Sequence, residues 1–187
     1  METEPFRIMN YFKLYDDVKD CPRFATEKSA CFDIRAYLGN GIETVMAYDN
    51  LNHKRSVLID PHQTQSLPER KVVIYPGWRV LIPTGLILDI PAGHSVRLHP
   101  RSGLALKRGL MLANCEGVID EDYVDPLYLL IYNSSMTEVC IEHGERIAQG
   151  ELVKNIHQEG IFVINRIFKK PGQKTDRDGG FGSTGTE

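Results

Sequence analysis

A chain of 187 residues, 42% hydrophobic and 25% charged, is long enough to bury one proper core and too short for a second full domain beside it. Its net charge of −3, with no long Lys/Arg run, excludes the electrostatic footprint of a nucleic-acid polymer binder, so any phosphate site would serve a small ligand. No apolar run reaches the length of a signal peptide or a membrane span, and the four cysteines lack C-x-x-C or zinc-type His spacing, so free thiols in a reducing, cytoplasmic setting are expected.

In chain order, the first departure from regular structure is the stretch 39–70, mostly polar with brief apolar patches (VMAY, SVLI), which predicts an inserted excursion from the sheet in the form of a hairpin. Then follow KVVIY, WRVLI, GLILDI and HSVRLH, short runs rich in Val, Ile and Tyr between turn residues, which predict strands. PRSGLALKRGL, residues 100–110, predicts one short helix through Leu104, Ala105, Leu106 and Lys107. ANCEGVIDEDYVDPLYLLIYN, residues 113–133, predicts two strands joined by an acidic turn, and TEVCIEH and RIAQGELV add two more strands. After Phe168 glycine and polar residues displace almost every apolar one, which predicts a flexible tail over 169–187 appended to a domain over 1–168. The fold class is therefore all-β, a barrel or jelly roll of short strands with one short helix.

Two stretches carry chemistry. Arg101, Ser102 and Gly103 combine a guanidinium, a hydroxyl and turn N–H groups, a set that matches phosphate oxygens; Ser102 as a plain helix cap is the competing account. Asp120, Asp122 and Asp125 could hold water or a divalent cation near such a site, or simply solvate a turn. Asn114 offers donors and an acceptor suited to a pyrimidine edge, and Tyr123 a flat face for a sugar or base.

Five stretches in order, ACFDIRA at 30–36, PRSGLALK at 100–107, NCEGVIDEDY at 114–123, ERIAQG at 145–150 and GGFGSTG at 179–185, resemble the five motifs of the trimeric dUTP nucleotidohydrolases, the dUTPases. The resemblance implies a dUTP diphosphatase that releases dUMP and pyrophosphate by in-line water attack on the α-phosphorus, keeping uracil out of DNA and supplying dUMP for thymidylate synthesis. It implies Asp120 as general base, Asp33 at the hydration shell of a Mg2+ cofactor, Asn114 and Gly117 reading uracil, and Tyr123 packing under the deoxyribose. It further implies Arg101, Ser102, Gly103 and Gln149 on the phosphates, and Phe181, Ser183, Thr184 and Arg177 in a closing tail. A homotrimer with active sites at subunit interfaces follows from the same resemblance, with no nucleic-acid polymer and no membrane as partner.

Three features depart from the family pattern. Val124, Asp125 and Pro126 follow the acidic turn where the family has Arg-Gly or a similar pair; Asp176 stands at the tail arginine's place, with Arg177 one residue closer to Phe181; and the 39–70 stretch is longer than usual. The alternatives are a deaminase of the related dCTP type, alone or bifunctional, and a scaffold that binds a regulatory protein through the 39–70 stretch. Deamination needs a glutamate where this chain has Leu130, which cannot transfer protons.

Overall fold

A computed structural model of the chain describes residues 9–18, 22–61 and 70–159. Strands come first and dominate: β1 (Asn10–Lys13), β2 (Arg23–Phe24), β3 (Phe32–Arg35), β4 (Thr44–Tyr48) and β5 (Lys54–Leu58). β6 (Asp60–Pro61), β7 (Arg70–Ile74), β8 (Arg79–Pro83), β9 (Leu86–Asp89) and β10 (His94–Pro100) lead into the helix α1 (Ser102–Arg108). β11 (Leu110–Leu112), β12 (Gly117–Ile119), β13 (Tyr128–Asn133), β14 (Val139–Glu142) and β15 (Arg146–Lys154) complete the set. These lie in a compact unit assigned to Met1–Asn155; of a second unit, Ile156–Glu187, the described part is one 3-10 turn, Ile156–Glu159.

Two five-stranded sheets, ordered β12-β10-β15-β3-β2 and β11-β13-β8-β4-β5, carry most of the core, with β14-β7-β6 and β1-β9 beside them. Alternation explains the layering. β3 buries Phe32 and Ile34 and turns Asp33 and Arg35 outward, while β8 buries Val80 and Ile82. These inward side chains join Val96, Leu98, Leu129 and Ile131 in one apolar cluster, a jelly-roll interior. Asn133 is a fully buried polar residue, yet its amide donates to the Ile74 and Thr137 carbonyls and its oxygen accepts from Ser135, so burial leaves nothing unsatisfied.

Three expectations need correction. Of the 39–70 stretch, residues 62–69 lie outside the described residues; residues 44–58 form the expected hairpin, β4 against β5, but they are no excursion, since β4 also pairs with β8, Ala47 opposite Val80, and Val45 and Ala47 are buried in the core. Its polar composition misled because only alternate residues of TVMAY face inward. Second, the two strands expected over 113–133 are present as β12 and β13 on either side of the acidic turn, but they belong to different sheets. β12 pairs with β10 and β13 pairs with β8 and β11, so the chain changes sheets at Ala113–Glu116 and again across the acidic turn. Third, Ser102 is not the cap of α1. Arg101 occupies the N-cap position in an extended conformation with no side-chain cap hydrogen bond, and Ser102 is the first helical residue. Gly109 ends the helix at φ 66, where any other residue would be strained.

Candidate active site

The site is laid out on the outward face of β10-β15-β3. β15 runs between the other two, with His99 opposite Gln149 and Gln149 opposite Asp33, so these three side chains form one row across the sheet. β10 then delivers Arg101 at its end. The Arg101 Nε lies 3.4 Å from one carboxylate oxygen of Asp33, and the Arg146 guanidinium donates to the other at 3.0 Å. Gln149 Nε2 donates to the Pro100 carbonyl at 3.2 Å, which fixes the amide beside the turn. A pocket of about 420 Å³ opens here, walled by Ser29, Cys31, Asp33, Arg101, Arg146 and Gln149.

Two guanidiniums against one carboxylate make this pocket suited to an anion. Ser102 and Gly103 do not line this pocket; they follow its wall residue Arg101 as the first residues of α1, whose leading N–H groups have no partner within the helix. Gly103 has nothing within 4 Å of where a Cβ would stand, so the chain itself does not demand glycine there. That open space is what close approach of a ligand to the backbone requires. A larger cavity, about 990 Å³ between α1 and β14, is lined by none of the candidate site residues.

Arg146 escaped the sequence reading. In a regular strand it and Gln149, three apart, would face opposite sides; a bulge between Arg146 and Ala148 shifts the register and brings both to the pocket. Only the ERIAQG motif hinted at it.

The motif-three residues lie elsewhere. Gly117 packs so closely on β10 that a Cβ would stand 2.9 Å from Leu98, which explains glycine at that position. Asn114 is exposed on the turn between β11 and β12, where the Glu116 N–H donates to its carbonyl at 2.6 Å. Asp120 is exposed just past β12, and its carbonyl accepts from the Tyr123 N–H at 3.1 Å. The Tyr123 hydroxyl donates to the Pro126 carbonyl at 3.0 Å; burial and then the Asp125 charge push its phenol above the usual value, so it remains a neutral donor. After the departure at Val124–Pro126 the next strand, β13, begins only at Tyr128.

Within one chain Asp120 and the phosphate cradle expected at Arg101, Ser102 and Gly103 stand towards opposite ends of β10. Ile119 is paired with Val96, and Arg101 lies five residues further along extended backbone, which at about 3.3 Å per residue separates them by roughly 16 Å. Arg177, Phe181, Ser183 and Thr184 lie outside the described residues. No helix among the described residues is long and apolar enough to cross a membrane.

Comparison with known proteins bears on this arrangement. The family model described as dUTPase matches residues 66–185. The deoxyuridine 5'-triphosphate nucleotidohydrolase of Hydrogenobaculum sp. is 44% identical over 115 residues, covering 61% of this chain and 76% of that protein. That of Syntrophotalea carbinolica is 36% identical over 141 residues, covering 71% and 92%. Among solved structures, a Staphylococcus bacteriophage 80alpha dUTPase with dUpNHpp superposes with a TM-score of 0.65 at 19% identity, covering 95% of this chain and 98% of that one. The dUTPase from Streptococcus mutans gives 0.57 at 22% identity, over 86% and 100%.

Proposed function

This chain belongs to the dUTPase family, hydrolysing dUTP to dUMP and pyrophosphate, and from that premise we propose how its residues carry the reaction. The observation that carries the proposal is the meeting of Asp33, Arg101 and Gln149, from three distant segments of the sequence, at one cationic pocket.

Arg101, the N–H groups at Ser102 and Gly103, and Gln149 hold the phosphates; Arg146 adds a second guanidinium. Asp33 keeps both guanidiniums aimed into the pocket before substrate arrives. Mg2+ keeps several waters and is usually held by substrate phosphates with one or two carboxylates, and Asp33, a carboxylate in the wall of this pocket, would accept from that water shell, so the residues present fit it. When bound, Mg2+ supplies charge neutralisation to the triphosphate. Asp120 orients a water and takes its proton as it attacks the α-phosphorus, and pyrophosphate leaves. Asn114 and the backbone at Gly117 read the uracil edge, where a donor in place of an acceptor leaves a polar group unpaired. Tyr123 offers a carbon face to C2′. Phe181, Ser183, Thr184 and Arg177 close over the substrate, an assignment that rests on the GGFGSTG resemblance.

The base and the cradle belong to different subunits of a homotrimer. The backbone separation of roughly 16 Å along β10 supports this reading. The free thiols of Cys31, Cys115 and Cys140 support a cytoplasmic setting. For the deaminase alternative, Leu130 lies opposite Leu81 in β13 and offers no proton. Pyrophosphate release from dUTP, dCTP, dTTP and UTP, with and without Mg2+, tests the proposal. Release from dUTP alone, dependent on Mg2+, is the expected result; equal rates with dCTP or UTP, or full activity after chelation, contradict it.

A further inference from the structure

Beneath the row formed by His99, Gln149 and Asp33 lies a second one. Arg97 is opposite Glu151, and Cys31, just before β3, continues the row by register. From these two rows Cys31, His99 and Glu151 bring a sulfur, a ring nitrogen and a carboxylate oxygen within 4.8 Å of one another, all partly buried. His99 Nε2 lies 3.4 Å from Glu151 Oε2. The other ring nitrogen, Nδ1, lies 3.6 Å from Glu116 Oε1, and Glu116 in turn is 3.9 Å from the Arg97 guanidinium. A carboxylate behind a histidine is the arrangement that fixes ring orientation in metal centres.

We propose that Cys31, His99 and Glu151 form a binding site for a zinc-class divalent cation, with Glu116 as the outer carboxylate that orients His99. Mixed S, N and O donors select Zn2+ over Mg2+ or Ca2+, which take oxygen alone. Cys31 binds as thiolate and its proton passes to solvent. Three protein ligands leave the fourth tetrahedral position to water or to an anion in the adjoining pocket, of which Cys31 is a wall. Every ligand stands two residues from a cradle residue: Cys31 from Asp33, His99 from Arg101, Glu151 from Gln149. The ion therefore ties together the three strands that carry the phosphate cradle, about 7 Å away along the sheet. Sequence spacing could not show this site, because its ligands come from segments far apart in the chain.

The site is independent of the substrate assignment and of Mg2+, and its test reads the metal directly. The full-length protein is stripped with chelator and titrated with Co2+ and with Zn2+. Expected are one ion per chain, a thiolate-to-cobalt charge-transfer band, and an X-ray absorption shell around zinc containing one sulfur at about 2.3 Å. Cys31→Ser abolishes the band; His99→Gln and Glu151→Gln weaken Zn2+ binding; Glu116→Gln keeps the band and weakens binding by about 10–100-fold. A zinc shell without sulfur in the wild-type protein, or a band that survives Cys31→Ser, overturns the proposal. The absorption measurement needs no variant, so a variant that fails to fold does not protect the idea.

Discussion

Asp120 is exposed, as its proposed role, a base that meets a substrate held by another chain, requires. Asp120→Asn keeps its shape and removes its basicity, so turnover is expected to fall on the order of 10²–10⁴-fold while dUTP binding persists, measured by pyrophosphate release beside calorimetric titration. A variant that turns over at the wild-type rate removes Asp120 from the role. Tyr123 is held by its hydroxyl on the Pro126 carbonyl, which leaves the ring free to face a sugar. A 2′-hydroxyl against that ring would lose its hydrogen-bond partner, so Tyr123→Ala should narrow the preference for dUTP over UTP by about 1–3 kcal/mol in kcat/KM; an unchanged ratio contradicts the packing. Away from the site, Asp49 organises the turn between β4 and β5. Burial opposes its ionisation, but the His53 N–H, the Arg55 guanidinium and the Leu51 N–H outweigh it and hold its carboxyl at about 2, against an ordinary 3.8. A carboxyl depressed on folding contributes stability above its unfolded value and loses it as pH falls through the folded one. The gap in Tm between wild type and Asp49→Asn should therefore be full at neutral pH and close between about 3.8 and about 2; a gap independent of pH contradicts this account.

At the level of strands and turns, the sequence was most readable where alternation is strong. HSVRLH and RIAQGELV announce β10 and β15, and the S-G-L-A-L-K run announces α1 because Leu104 is its one buried side chain beside a helix-favouring composition. What stayed hidden depends on partners distant in sequence. The VMAY patch announces one arm of a hairpin, but only pairing with β8 places β4 in the sheet. The bulge that turns Arg146 toward Asp33 exists only in the register with β3, and the change of sheet between β11 and β12 leaves no mark in composition. The cradle residues were legible through motifs; what puts them on one face was not. That face depends on close strand packing: a Cβ on Gly150 would stand 2.5 Å from the Phe32 ring, which is itself buried. Gly150→Ala should cost about 1–3 kcal/mol by overpacking, read from denaturant unfolding, and should disturb Asp33 and Gln149 together. A loss below about 0.5 kcal/mol would show that β3 and β15 can part at no cost.

Across the whole molecule, the jelly roll sets the proposed cradle at one end of β10 and the proposed base beyond the other, and the proposed homotrimer is what would bring them together. Sedimentation of the full chain should report three subunits, and a monomer with full activity contradicts the arrangement. The most direct measurement combines two inactive proteins. Arg101→Ala lacks the cradle and Asp120→Asn lacks the base; when the two are co-expressed and their mixed assemblies purified, sites at which an intact cradle meets an intact base recur in roughly a quarter of positions by random mixing. Pyrophosphate release from dUTP should therefore reappear in the mixed assemblies at a substantial fraction of the wild-type rate, although each parent is inactive. Mixed assemblies that form and stay as inactive as their parents would show that base and cradle serve the same chain, and the shared-site account of this enzyme would be wrong.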